Sequence, residues 1–342
     1  MIDEQLRSFL LEGRIQPEDF EKIRDAATSH WDRAFALAPR NRKSVENVVF
    51  RRHDRTLQFV IPWVNAVAPL RGRRVVELGG GSGSSAHAFA HIAESVTSLD
   101  IDARALKAYD VRREVFGMTN MNAVLCSPNN ILDNLREIWQ PGDIIVMVAV
   151  LEHLTVPERI RYLSEMWSMM TPGDTLVIAE TPNRLAYTES HTTGEPFLHL
   201  LPDELFFPYL ETNTDEDLHQ KTAYMGLYRI GELGNAATNR YRMGMGASYH
   251  EFEVALRTDL NGLLVADGFE QPMLRWFPLL TDDRLLMSYF KAKLIYAPVG
   301  FTRTVLNLIL RKPADEAAFR ARVKANLRRK REIYDLYGVQ AM

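Results

Sequence analysis

Short, nearly continuous apolar runs alternate with amphipathic stretches through the middle of the chain. The first five runs cover 74–78, 95–101, 123–126, 143–150 and 175–179. Helical patterns lie between them at 85–94, 103–116, 130–139 and 157–170. Strands that are apolar on both faces are typical of parallel sheets covered by helices on both sides. With two later runs at 269–276 and 304–310, the pattern predicts an α/β protein with a doubly wound, mostly parallel seven-stranded sheet.

Regions with a different pattern precede, interrupt and follow the strands of the predicted sheet. The N-terminal region has helical spacing with a helix start at Pro17, which predicts a helical extension that serves as packing or as a lid over a ligand. After strand five, the region at about 183–250 has no clear period and many aromatic residues, which predicts a substrate-binding insertion. The predicted divisions are a helical extension at 1–70, a sheet domain at 71–312 and a basic C-terminal helix at 313–342.

Composition narrows the class of protein. Of the 342 residues 46% are hydrophobic, and 41 basic against 44 acidic side chains leave a net charge of −3, without the basic excess of a nucleic-acid binder. Cys126 is the only cysteine, so neither an intrachain disulfide nor a cysteine-based zinc cluster can form. The longest wholly apolar run, 144–151, is too short for a membrane span, and the first residues lack the order of a signal peptide. We expect a cytoplasmic protein, and a homodimer stays open.

The strongest local signal is a glycine-rich turn between the first predicted strand and the first predicted helix. Gly79, Gly81 and Gly83 allow positive φ and leave room for a ligand against the backbone. The next strand ends in Asp100, whose carboxylate can accept hydrogen bonds from two ribose hydroxyls. Together they predict a nucleotide-like ligand at the carboxyl end of the sheet, and a dehydrogenase must be considered.

One acidic residue, Glu77, precedes the glycines and favours a cationic ligand over pyrophosphate. With this feature the chain resembles the class I S-adenosylmethionine-dependent methyltransferases of the small-molecule type. Four landmarks in order carry the resemblance, at 77–83, 98–101, 149–154 and 171–184. The resemblance implies a Rossmann-like methyltransferase fold and S-adenosylmethionine as cofactor.

The resemblance also implies a role for each matching residue. The glycines would wrap the methionine part, while Glu77 would hold the loop and the amino end of the ligand. Asp100 would bind the ribose and Ile101 would lie against the adenine. The family commonly has an acidic residue after the third strand, where this chain has Ser127 or Asn129 as the replacement.

Three histidines are the candidates for acceptor chemistry. His153 follows strand four, and His191 and His250 lie in the insertion. Histidine titrates near neutrality, so it suits removal of a proton from a hydroxyl that is being methylated. We expect no metal site, although Glu152 and the three histidines could converge into one.

The remaining histidines are predicted to be structural or exposed. His199 stands between two leucines and is predicted to be a hydrogen-bonded structural residue. His30, His53, His87 and His91 are predicted to lie on helices as surface or structural residues.

These features predict methyl transfer to a small or medium acceptor, most simply at oxygen. The acceptor could be a sugar, a phenol or a carboxylate, including a natural product or a peptide carboxylate. Oxygen is favoured because no Asn-Pro-Pro-Tyr or Asp-Pro-Pro-Tyr segment follows strand four. The alternatives are an N-methyltransferase and a non-catalytic protein that binds adenosylmethionine as a scaffold.

Overall fold

Seven strands form one sheet in the part of the chain that the computed structural model describes. That part comprises residues 17–27, 51–227, 236–258, 260, 263–266, 280–293, 299–322 and 324. The strands are β1 Arg74–Leu78, β2 Ser95–Asp100, β3 Met121–Leu125, β4 Ile144–Val148, β5 Thr175–Pro182, β6 Leu264–Ala266 and β7 Val305–Arg311. Their order is β3-β2-β1-β4-β5-β7-β6, and only the pairs made by β7 are antiparallel. The predicted doubly wound, mostly parallel seven-stranded sheet is confirmed.

The apolar pattern predicted the first five strands but not the sixth. The first five predicted strands coincide with β1–β5, although β3 begins two residues earlier than predicted. The sixth strand is Leu264–Ala266, only three residues long, and the predicted run at 269–276 lies outside the described residues. An edge strand this short offers too few positions for a pattern.

Helices cover both faces of the sheet. Helix α2 has three consecutive parts: Arg52–Arg55, a π turn at Thr56–Val60, and Ile61–Val67. The other helices are α1 Pro17–Ala27, α3 Ser84–Ala90, α4 Ala103–Val115, α5 Ile131–Ile138, α6 Val156–Met169, α7 Asp203–Thr212, α8 Glu216–Leu227, α9 Ala236–Gly244, α10 Tyr249–Leu256 and α11 Thr281–Lys293. Helices α3–α6 match the four predicted between the strands. The insertion, which has no clear period in sequence, contains helices α7–α9.

The core explains why the strands are apolar throughout. Along β4, Ile145 and Met147 face one hydrophobic cluster, while Ile144 and Val146 face the other. The first cluster includes side chains of α5, α6 and α10, and the second includes side chains of α2, α3 and α4. Because helices cover both faces of the sheet, side chains on either face of a strand are buried, so neither face needs polar residues.

The structure describes part of the predicted N-terminal extension and part of the predicted C-terminal helix. Trp63 of α2 is fully buried in the second cluster, and Phe319 of the C-terminal segment is buried in the first. The helical pattern near the N-terminus before Pro17 and most of the basic C-terminal segment lie outside the described residues. Among the helices that are described, none has the length and apolar character needed to cross a membrane.

Candidate active site

The glycine loop follows β1 at the carboxyl end of the sheet. Gly79 and Gly83 have φ of +73° and +78°, and a Cβ on them would lie 2.6 Å from Val150 and 2.7 Å from Tyr109. Gly81 also has positive φ, +52°, but a Cβ there would meet nothing within 4 Å. Two glycines are therefore required by protein packing, whereas Gly81 borders open space where a ligand can approach the backbone.

Glu77 anchors the loop from within the protein. Its carboxylate is fully buried and accepts hydrogen bonds from the hydroxyl of Ser85 on α3 and, at 2.7 Å, from that of Ser98 on β2. Burial raises the pKa of Glu77, and the two serine hydrogen bonds oppose this rise. The carboxylate thus joins β1, β2 and α3, and its contact with the amino end of a ligand stays a prediction.

Asp100 lies beside the open side of the loop. One carboxylate oxygen accepts a hydrogen bond from the backbone N–H of Gly81 at 2.7 Å, and the other accepts from Asp102 at 2.8 Å. Burial raises the pKa of Asp100, while these backbone donors act in the opposite direction. A carboxylate oxygen accepts more than one hydrogen bond, so capacity for ribose hydroxyls remains. An acidic acceptor next to an unobstructed glycine backbone fits the ribose and methionine parts of S-adenosylmethionine.

The two other predicted cofactor residues stand at the ends of β2 and β3. Ile101 is half-buried against the first cluster of the core. Ser127 is exposed, and its backbone N–H and hydroxyl both donate to the side-chain oxygen of Asn130, each at 2.8 Å. Neither contact identifies a ligand, so their adenine roles stay predictions.

Two of the predicted catalytic histidines meet beyond β4. Glu152 and His153 form the short 3₁₀ turn Leu151–His153 after this strand, and His191 comes from the insertion. One ligand atom from each of the three lies within 4.8 Å of the others. The two imidazole centroids are 5.0 Å apart with the rings edge to face.

A backbone carbonyl determines the tautomer of His153. Its Nδ1–H donates to the carbonyl of Arg242 at 3.0 Å, because a carbonyl can only accept. This leaves Nε2 as the acceptor. Burial lowers the pKa of His153 to about 3, and the charges of His191 and Arg52 add to the effect. Glu152 has a pKa raised by burial, which the charge of His191 partly offsets.

His191 is held by a carboxylate that sequence reasoning did not single out. Glu189 is buried and accepts backbone hydrogen bonds from His191 at 2.7 Å, Thr192 at 2.9 Å and Thr193 at 2.5 Å. Three consecutive N–H groups on one carboxylate fix the loop that presents the imidazole. The Glu-x-His-Thr-Thr spacing is the only signal in the sequence that could have indicated this.

Buried arginines attach the insertion to the turn after β4. Arg159 of α6 is fully buried, donates to the carbonyl of Leu151 at 2.7 Å and pairs with Glu251 of α10 at 3.1 Å. Arg242 of α9 donates to the carbonyl of His153 at 3.0 Å. The insertion therefore closes over the end of β4 through charged hydrogen bonds that the sequence did not predict.

The third predicted catalytic histidine lies elsewhere. His250 is exposed in the first turn of α10, and its ring stacks on Tyr249 with centroids 3.8 Å apart. The converging group of ligand atoms does not include it. His199, in contrast, is buried with Nε2 3.0 Å from the carbonyl of Arg184, as predicted for a structural histidine.

The same convergence has the composition of a cation site. A carboxylate and two imidazoles are ligands for divalent transition metals. The sequence favoured no metal here and left open a site that included His250. The structure brings together only Glu152, His153 and His191 of those four groups.

A strained backbone adjoins the site. Ala149 after β4 and Glu180 in β5 have φ of +54° and +57°. Such positions cost about 1–3 kcal/mol in non-glycine residues and cluster at functional sites. The carboxylate of Glu180 pairs with Arg55 at 3.0 Å and lies 3.9 Å from Arg52, so α2 reaches this end of the sheet.

Comparisons with known proteins agree with the donor-side geometry. A family profile described as "Methyltransferase domain" matches residues 75–173. The chain is 23% identical over 189 residues to the ubiquinone biosynthesis O-methyltransferase of Cupriavidus pinatubonensis, covering 54% of this chain and 68% of that protein. It is 30% identical over 104 residues to the tRNA 5-carboxymethoxyuridine methyltransferase of Escherichia coli, covering 30% and 38%.

Among solved structures, the magnesium protoporphyrin IX methyltransferase of Synechocystis with bound S-adenosylhomocysteine is 23% identical. The superposition covers 37% of this chain and 54% of that one, with a TM-score of 0.30. The chain thus spans about two thirds of the first relative and smaller shares of the others. The order of strands, the glycine loop beside Asp100 and the matching profile lead to one conclusion: the chain contains a methyltransferase domain with the strand order and donor loop of the class I S-adenosylmethionine-dependent enzymes.

Proposed function

We propose that this methyltransferase methylates a hydroxyl oxygen of a small acceptor bound beyond the carboxyl ends of β4 and β5, with His191 as the general base. The observation that carries the proposal is the convergence of Glu152, His153 and His191 from two separate segments. A base beside a carboxylate and a second hydrogen-bond acceptor is suited to hold and deprotonate a hydroxyl.

The two histidines have different roles in this proposal. S-adenosylmethionine, when bound, supplies an electrophilic methyl group on its sulfonium. His153, with a pKa lowered to about 3, is a weak base that stays neutral and accepts a hydrogen bond at Nε2 to orient the acceptor. His191 removes the proton, and the adjacent carboxylate of Glu152 stabilises the imidazolium that forms.

Two further observations support oxygen and a small molecule. The relative from Cupriavidus is named an O-methyltransferase, and the net charge of −3 does not favour a nucleic acid. A phenol or a sugar hydroxyl needs a base, whereas a carboxylate acceptor does not. The name of the Escherichia coli relative keeps the carboxylate as the second candidate.

The test measures formation of S-adenosylhomocysteine with phenols, sugars, carboxylic acids and amines. With a hydroxyl acceptor, His191→Ala is expected to lower turnover by about 10²–10⁴. Its affinity for S-adenosylhomocysteine should stay unchanged, because the donor loop lies on other elements. His153→Ala should also lower turnover, and His219→Ala on the exposed face of α8 is the matched control. If His191, His153 and His250 can each be removed with less than a threefold loss, the base is refuted and a carboxylate acceptor is favoured.

A positioning variant separates the base from the loop that holds it. Glu189→Gln leaves one carbonyl oxygen for three N–H donors, and a lost charged hydrogen bond costs about 1.5–3 kcal/mol. We expect kcat to fall by about tenfold or more with the shape of the pH profile retained, because His191 is still present as the base. A changed profile would place Glu189 itself in proton transfer.

The alternative functions and the remaining predictions from the sequence are separate from this proposal. An amine acceptor would indicate the N-methyltransferase alternative, and binding without any turnover would indicate the scaffold. The lid role of the N-terminal extension, a homodimer and a cytoplasmic location stay predictions from the sequence.

A further inference from the structure

A second group of histidines lies away from the acceptor site. His53 is in α2, while His87 and His91 stand four residues apart on one side of α3 and its C-cap. One ring nitrogen from each lies within 4.8 Å of the others. The ring centroids are 4.5 Å (His53–His87), 4.9 Å (His87–His91) and 6.0 Å (His53–His91) apart. The sequence predicted separate surface or structural histidines, and the fold brings them together.

Burial makes this group unusual. The exposed fraction of His53 is 0% and that of His87 is 1%. Within the described part of the chain, neither ring nitrogen of His87 has a hydrogen-bond partner, nor does Nε2 of His53. A buried polar atom without a hydrogen-bond partner is destabilising. His91 is half-buried, so one ring of the group retains some contact with solvent.

Burial favours the neutral form of all three imidazole rings. Burial lowers the pKa of His53 and of His87, and it lowers the pKa of His91 to about 4. Neutral imidazole is the form that binds metal ions. A buried oxygen of Asp54 lies 3.6 Å from Nδ1 of His53, and this negative charge offsets the buried cation Arg112 nearby.

We propose that His53, His87 and His91 bind one divalent transition-metal ion, such as Zn²⁺, with Asp54 orienting His53. Coordination through Nε2 of His53 would leave its Nδ1–H to donate to Asp54, the arrangement that fixes metal-bound histidines in many sites. Ligand nitrogens at about 2.0–2.1 Å from zinc lie closer together than 4.8 Å, so the rings must close slightly around the ion.

The ion would join two parts of the protein. It cross-links α2 to α3, and α3 begins at Ser84, directly after the glycine loop. The nearby Arg112 donates to the carbonyl of Ser82 in that loop at 3.0 Å. Metal binding would therefore fix the N-terminal segment against the helix that supports the donor site, without taking part in methyl transfer.

The experiment titrates chelator-treated, full-length protein with Zn²⁺ and Co²⁺. Calorimetry gives stoichiometry and affinity, and the visible absorption of Co²⁺ reports nitrogen ligation. We expect one ion bound per chain at this site and a higher Tm in its presence. His91→Ala should weaken binding by more than about 100-fold, because loss of an outer partner alone costs about 10–100-fold. Asp54→Asn should weaken binding by about 10–100-fold.

Two control variants separate this site from others. His191→Ala removes a ligand from the group at Glu152, and His219→Ala removes an exposed histidine. Binding that survives both controls and is lost in His91→Ala supports the proposal. Binding lost only in His191→Ala would assign the ion to the acceptor site and overturn it, as would binding that no variant changes or an absence of binding. If His91→Ala does not fold, Asp54→Asn decides in the same way.

Discussion

The proposed donor and acceptor sides of this methyltransferase differ in how far apart in the sequence their contacting residues lie. On the donor side, Glu77 contacts residues 8 and 21 positions away, and Asp100 contacts Gly81 across 19 positions. On the acceptor side, Arg159 reaches Glu251 across 92 positions and Arg242 reaches His153 across 89. One site is made by two neighbouring strands and their loop, whereas the other is assembled by a long insertion that returns to the sheet.

Because the two sides are held together differently, substitutions in them should change different properties of the protein. The donor side depends on backbone conformation and on two carboxylates, those of Glu77 and Asp100, so its variants should affect cofactor affinity. The acceptor side depends on buried ion pairs that hold separate segments, so its variants should affect stability and turnover.

The largest effect is expected from Arg159→Leu. Removing one partner of a buried, hydrogen-bonded pair costs about 3–5 kcal/mol, because Glu251 and several carbonyls lose their donor. The free energy of unfolding in urea measures this loss. Arg161→Leu, on the exposed face of the same helix, is the control and should cost under about 1 kcal/mol. Equal losses in the two variants would show that Arg159 does not attach the insertion.

The next largest effect separates two glycines of one loop. Positive φ strains both Gly79→Ala and Gly81→Ala, but only the Gly79→Ala methyl group meets Val150, so Gly79→Ala should destabilise the fold by about 1–3 kcal/mol more. Gly81→Ala should instead lose affinity for S-adenosylhomocysteine, because its methyl group enters the open space beside Asp100. Thermal unfolding and calorimetry measure the two effects. A Gly81→Ala variant with full affinity would place the ligand elsewhere.

Asp100→Ala tests the donor side at its carboxylate. Losing charged acceptors of ribose hydroxyls, each worth about 1.5–3 kcal/mol, should weaken binding of S-adenosylhomocysteine at least about tenfold. The control is Asp102→Ala, which removes the N-cap of α4 but leaves the backbone donor to Asp100 in place. That control should reduce stability by about 1 kcal/mol and leave affinity unchanged. An unchanged affinity in folded Asp100→Ala would refute the ribose assignment.

The smallest effect is a pH dependence of cofactor binding. Burial raises the pKa of Asp100 above its ordinary value of 3.8. If Asp100 binds the ribose, its ionised form accepts the hydroxyls, so affinity should be full above the raised pKa and lost as the pH falls through it. Calorimetry at decreasing pH should show this loss in the wild type and a flatter profile in Asp100→Asn. Parallel profiles would assign the titration to another group.

Much of the fold could be predicted because both faces of the sheet are covered. Continuous apolar strands and intervening helices then follow from a local rule, and β1–β5 were found within a few residues. The short β6 and the helices of the insertion could not be found in this way. Their helical character depends on contacts with the end of β4, such as Arg242 with His153, which no local pattern records.

The candidate sites show the same contrast between local sequence patterns and long-range packing. The sequence by itself determined the glycine loop and Asp100, because a tight turn with positive φ restricts the residue type and its neighbours lie close in the chain. Only the tertiary structure decided that His153 and His191 meet while His250 stays apart, and that His53 joins His87 and His91. The physical reason is that a histidine tolerates surface, core and ligand environments, so its role is set by the long-range packing around it.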